Sequence, residues 1–199
     1  MSVLSGSEDF NSRADIPGGR KPALRDHLRS ATGDAHARLD SSLGALDLRD
    51  LDGYRRFLEI NAAALLPLEA ALSEAGIERI VPDWPLRTRR RAMLDDLAAV
   101  GGTFTPLPLA MDLTPDRMLG AAYVLEGSRL GARFLLNTVN TSADPRVTAA
   151  TAYLSHGAGD RLWPSFLVLL KDAEDTTDHA EAAEGARQTF DLFAKAAGA

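Results

Sequence analysis

From Pro22 onward, apolar residues recur at steps of three and four. No stretch alternates apolar with polar long enough to build a strand. That periodicity restricts the chain to an all-α fold, a single domain built as a bundle of six or seven helices. Residues 22–199 form the expected domain. Residues 1–21, polar and rich in Ser, Gly and Asp, are expected to be a flexible tail. The tail has neither an apolar core nor a basic start, so it does not read as a secretory signal.

Proline and glycine punctuate the helices. Leu24, Leu28, Ala31, Ala35 and Leu39 mark one face of the first. A second is expected from Leu51 to Ala75, kinked at Pro67 and stopped by Gly76. Pro82, Asp83 and Pro85 mark a loop, and a third helix follows to Val100. Gly101 to Met111, with Pro106 and Pro108, reads as an irregular connection. Thr114-Pro115-Asp116 supplies an N-cap, a proline at the first helical position and an acid in the first turn, opening a helix to Thr138. Asp144-Pro145 repeats the device, with a break expected near His156–Gly159 and a restart at Trp163-Pro164. The last helix is expected from Glu174 to Ala197.

Composition removes whole classes of chemistry. The 199 residues include no cysteine, which excludes disulfides, zinc ribbons, iron–sulfur clusters and thiol nucleophiles. A net charge of −6 argues against nucleic-acid binding, which wants a basic face. No apolar run approaches the ~20 residues of a membrane span. No histidine has a glutamate three residues before it, so the Glu-x-x-His pairs of a di-iron bundle are missing.

Two constellations carry the remaining chemistry. Arg25, Arg29, Thr32 and Asp40 lie at −11, −7, −4 and +4 from His36. All fall within about 40° of it around a helix. A metal-bound histidine presents one ring nitrogen to the metal and gives its other N–H to a carboxylate or carbonyl, and Asp40 is placed for that. The arginines suit anionic groups of a ligand. Taken alone, such a stripe is more simply explained as a solvated helix face. His27 lies on the opposite side without such company and reads as a surface histidine; His179, in an acidic stretch, reads as solvated, and His156 as a weak ligand candidate. The second constellation is Gly120, Gly127 and Gly131, spaced by 7 and 4 along one face of a strongly helical segment. Each costs about 1 kcal/mol relative to alanine. Either another helix packs very closely there, or a flat ligand lies on bare backbone. Ser128 borders that face, and Tyr123 and Val124 complete the wall.

RxxTxxxH (Arg29, Thr32, His36) followed about 90 residues later by YVLEGSRLGA (Tyr123 to Ala132) resembles the heme oxygenases, in particular the bacterial group associated with bacteriophytochromes and iron acquisition. Tyr153, Gly157 and the Trp-x-x-Phe of Trp163 to Phe166 resemble that group's late segment. The resemblance implies a helical protein that sandwiches heme between a proximal and a distal helix. Such a protein uses O₂ and electrons from an external donor, a ferredoxin or a reductase, to give biliverdin, CO and ferrous iron. It implies His36 as the iron ligand, Asp40 as its neighbouring carboxylate, and Gly127 and Gly131 as distal glycines bordered by Ser128. Arg25, Arg29 and Arg133 are candidates for the heme carboxylates, with Thr32, Tyr123 and Val124 around the ring. It further implies a cytoplasmic protein, and a bacteriophytochrome as recipient of biliverdin. Ala132 stands where many members have a second glycine, and Ser128 where animal enzymes have an acid. A non-catalytic heme or bilin sensor is the alternative on the same fold. Thiamin-fragment hydrolases of similar fold need the cysteine that this chain lacks.

Overall fold

Four side chains cap helix starts. In the computed structural model, which describes residues 22–198, Asp50 accepts the backbone N–H groups of Asp52 and Gly53 at 3.0 and 3.2 Å. Thr114 accepts that of Arg117, Asp144 that of Arg146, and Asp178 those of Ala180 and Glu181. Each satisfies N–H groups that a helix start leaves unpaired. The resulting order is α1 (Leu24–Gly44), α2 (Leu51–Glu74), a 3₁₀ turn (Ile77–Arg79), α3 (Trp84–Arg87), α4 (Arg90–Val100), α5 (Pro115–Val139), α6 (Pro145–Ala149), α7 (Ala152–Ser155), α8 (Leu162–Asp172) and α9 (His179–Ala197). No strand occurs among the described residues. The architecture is all-α, as the periodicity predicts. The expected tail, residues 1–21, lies outside the described residues.

Three boundaries differ from expectation. The last helix starts at His179, not Glu174, because Asp178 caps it and residues 173–177 form turns. The helix after Asp144-Pro145 stops at Ala149, and α7 is a separate turn. The third helix divides into α3 and α4 at Thr88-Arg89.

Pro67 sits inside α2 and has no N–H to give to the carbonyl of Ala63. The backbone N–H of Leu107 takes that carbonyl at 2.9 Å. The proline therefore ties down the irregular connection before α5, whose Phe104, Leu107 and Leu109 pack against the core.

Helix α9 is the common support. It packs against α1, α2 and α5, burying Ala182, Ala183, Ala186, Phe190 and Phe193. Its approach to α5 is close enough to exclude side chains. A Cβ on Gly120 would meet the carbonyl oxygen of Ala182, and one on Gly185 would meet that of Arg117. The Arg117 guanidinium and the Glu181 carboxylate, 2.7 Å apart, fasten the same crossing. Gly120→Ala or Gly185→Ala should therefore cost about 1–3 kcal/mol in urea unfolding, as overpacking does. Gly131→Ala, where nothing lies within 4 Å, should raise stability by about 0.5–1 kcal/mol through helix propensity.

Candidate functional site

With both α1 and α5 leaning on α9, a cleft of about 640 Å³ runs between them. Asp40 and Leu43 line it from α1, Gly131, Phe134 and Leu135 from α5, and Phe57 from α2. Asp40 accepts from His36: Nδ1 lies 2.9 Å from Oδ2, with both side chains exposed. That hydrogen bond places the proton on Nδ1 and leaves the Nε2 lone pair available to a metal ion. Phe190 on α9 meets the ring in an edge-to-face arrangement, 5.6 Å between centroids.

The three glycines of the stripe divide by role. Gly120 serves the crossing with α9. A Cβ on Gly127 would meet only the Trp163 ring at 3.8 Å, and one on Gly131 would meet nothing. Close helix packing thus explains Gly120, whereas Gly127 and Gly131 have no such neighbour. Beside the bare backbone, Leu130 and Phe134 stand 60% and 73% exposed, an apolar surface of the kind a ligand or partner covers.

The other sequence-predicted residues take varied places. Arg25 and Arg29 are exposed on α1, close enough to Tyr123 to act on its phenol. Burial pushes that phenol's pKa up, and the two guanidinium charges partly offset the effect. Arg133 is exposed on α5, beyond Gly131. Thr32 is buried and gives its hydroxyl to the carbonyl of Leu28 at 2.8 Å. Val124 belongs to the core. Ser128 accepts from Arg89 Nη1 at 2.9 Å and donates to the carbonyl of Leu125 at 2.7 Å.

Sequence reasoning missed what holds α5 from behind. Arg87, fully buried, donates to Glu126 at 2.6 Å, to both oxygens of Asp83, to the carbonyl of Leu162 and to the hydroxyl of Ser165. Arg129 donates to Glu126 at 2.9 and 3.0 Å and to the carbonyl and Nδ1 of His156. The backbone N–H of Arg89 donates to both oxygens of buried Glu69, while its guanidinium lies over Tyr153, 5.3 Å from the ring centre. Its Nε has no hydrogen-bond partner among the described residues and lies 3.9 Å from Glu69 Oε1. Burial raises the Glu69 pKa, and the charge and backbone N–H of Arg89 oppose that shift. The signal in the sequence was Glu126, a lone carboxylate inside the apolar run of α5.

No protein-family model matches the chain. Heme oxygenase PigA of Pseudomonas aeruginosa is 28% identical over 186 residues, covering 86% of this chain and 92% of that protein. The crystallised heme oxygenase of Neisseria meningitidis, solved with NO and CO bound, superposes with a TM-score of 0.67 at 21% identity, covering 89% of this chain and 93% of its own. The chain is thus similar in sequence to a heme oxygenase and shares the heme oxygenase fold. The cleft suits a flat ligand on this structure's own terms. Bare backbone at Gly131, which lines the cleft, leaves room that a Cβ would fill, and Gly127, one turn before it, faces Trp163. A histidine with its Nδ1 already paired stands on α1, and the walls are mainly apolar. Among the described residues, no helix is long and apolar enough to cross a membrane.

The His156–Arg129 contact generates a pH signature. Burial lowers the His156 pKa below the usual 6.5, and the Arg129 and Arg89 charges lower it further. Guanidinium only donates, so Nδ1 must accept, which requires neutral imidazole. As pH falls through 6.5 the unfolded chain takes up this proton first, and stability drops until the lower folded-state pKa is passed. In melting curves between about pH 8 and pH 5, His156→Gln should match the parent at the alkaline end and lose less stability on acidification. Parallel curves for the two proteins would remove His156 from this role.

Proposed function

We propose that the chain is a heme oxygenase, binding heme in the cleft between α1 and α5 and opening it to biliverdin, CO and ferrous iron. The observation that carries this reading is the oriented His36–Asp40 pair on α1 beside a cleft whose facing wall is the bare backbone of α5. Bound heme supplies the iron and the ring on which O₂ and reducing electrons act.

The chain's own residues do the rest. His36 offers Nε2 to iron, and Asp40 holds the ring by Nδ1. His36 would be the residue that holds the iron, and on the α5 side of the cleft no side chain would compete with it. There Gly127 and Gly131 keep side chains away, so space remains for O₂ and water. Ser128 borders that space, its hydroxyl held by Arg89. Thr32 and Val124 act beneath the surface by packing α1 and α5. The heme carboxylates are expected at the rim. Arg29 lies about 10 Å along the helix from His36. Arg25 is one turn farther, beside Tyr123, and Arg133 stands on the other wall. Exposed pairs of this kind contribute only about 0–1 kcal/mol each, so they orient more than they bind. Electrons come from an external donor, a ferredoxin or a reductase. The low charge and absence of cysteine suit a cytoplasmic enzyme, with a bacteriophytochrome as a recipient of the biliverdin.

Hemin and a reductant under air test this reading. In the parent chain the Soret band should decay to a biliverdin spectrum. His36→Ala should fold normally, since the side chain is 62% exposed, yet lose most turnover, with added imidazole restoring part of the ligation. His27→Ala should match the parent. Full biliverdin formation and an unchanged ferrous spectrum in His36→Ala would contradict the assignment.

A further inference from the structure

We propose that Trp163 determines where heme sits in its own plane, and hence which meso carbon is opened. The inference rests on the heme oxygenase reading. It begins with an asymmetry along α5: the bare strip is unbounded at Gly131, but at Gly127 it meets Cη2 and Cζ3 of Trp163, each 3.8 Å from the position a Cβ would take. A flat ligand lying on this strip is free to slide at one end and is stopped by the benzo edge of an indole at the other.

The stop is rigid. Trp163 stacks on Phe166, which is fully buried, with centroids 6.2 Å apart and planes 21° from parallel. Tyr123 also lies against it, 5.9 Å between centroids and tilted by 50°. One buried guanidinium ties both sides of the contact together. Arg87 binds Glu126, the residue before Gly127, and also the carbonyl of Leu162 and the hydroxyl of Ser165, which flank Trp163. The indole-to-glycine spacing is therefore set by a single charged clamp rather than by loose packing of α8 on α5. Arg87 is a positioning residue, and Trp163 is the one that touches the ligand. Trp84, the chain's other tryptophan, belongs to the core instead, fully buried and giving its indole N–H to Ser73.

The test reads heme seating directly. Proton NMR of the ferric cyanide complex resolves the heme methyl groups, and their pattern reports each seat and its population. Chromatography then separates the biliverdin isomers. In Trp163→Ala the ratio of seats should change by about threefold or more, the scale a single aromatic contact commands, and the isomer ratio should follow it. Trp163→Phe lacks Cη2 and Cζ3 but keeps a stacked ring. It should fold as the parent does and shift both ratios in the same direction by a smaller factor. Parent-like methyl patterns in both variants would overturn the role of Trp163 while leaving heme binding intact. Failure of the parent chain to bind hemin at all would overturn the proposal together with the reading on which it rests.

Discussion

The crossing of α5 and α9 at Gly120 and Gly185 governs the rest of the molecule. Because neither residue has a side chain, backbone meets backbone, and the axis of α5 is fixed relative to the helix that also supports α1. The gap between α1 and α5 is then a consequence of where α9 stands. Interiors are too closely packed to let such a gap drift. A ligand cleft can stay open without its own walls pressing on each other, since both walls are held from behind.

Behind α5 the holding is electrostatic. Arg87 and Glu126 are almost wholly removed from water, 1% exposed each, and Arg129 is nearly so. Buried charges cost several kcal/mol each unless paired and fully hydrogen-bonded, and breaking such a pair costs about 3–5 kcal/mol. Arg87 meets this condition through Asp83, Glu126, Leu162 and Ser165. A hydrophobic cluster of the same volume would stabilise α5 as well, but it would not hold α3, α5 and the start of α8 in one register. The network lies on one side of α5 and the bare glycines on the other, so the helix is held on one side and left bare on the side where the proposed ligand would lie.

Much of this was legible in the sequence, for reasons that differ by residue. The helices declared themselves through periodicity and caps, and Thr114-Pro115-Asp116 placed the start of α5 to the residue. His36 and Asp40 were legible because a four-residue spacing within one helix converts directly into a contact. The glycines were half legible: spacing put them on one face, but only the position of α9 separates Gly120 from Gly127 and Gly131. The arginine network showed only in Glu126 and in the short-range pairs Arg87–Asp83 and Arg129–Glu126, since its other contacts reach across 20 to 78 residues of sequence. Thr32 looked available and is instead turned onto Leu28, a choice between helix faces that periodicity alone leaves within one turn.

Whether a heme-sized ligand enters between α1 and α5 is the central claim, and a hemin titration followed by amide NMR tests it most directly. Ferric heme broadens nearby resonances beyond detection. The account predicts loss of the amide signals of His36, Asp40, Gly127 and Gly131, with persistence of those around a second cleft of about 620 Å³ lined by Arg79, Asp116 and Val168. Broadening centred on that second cleft, with the α1 and α5 signals intact, would contradict it.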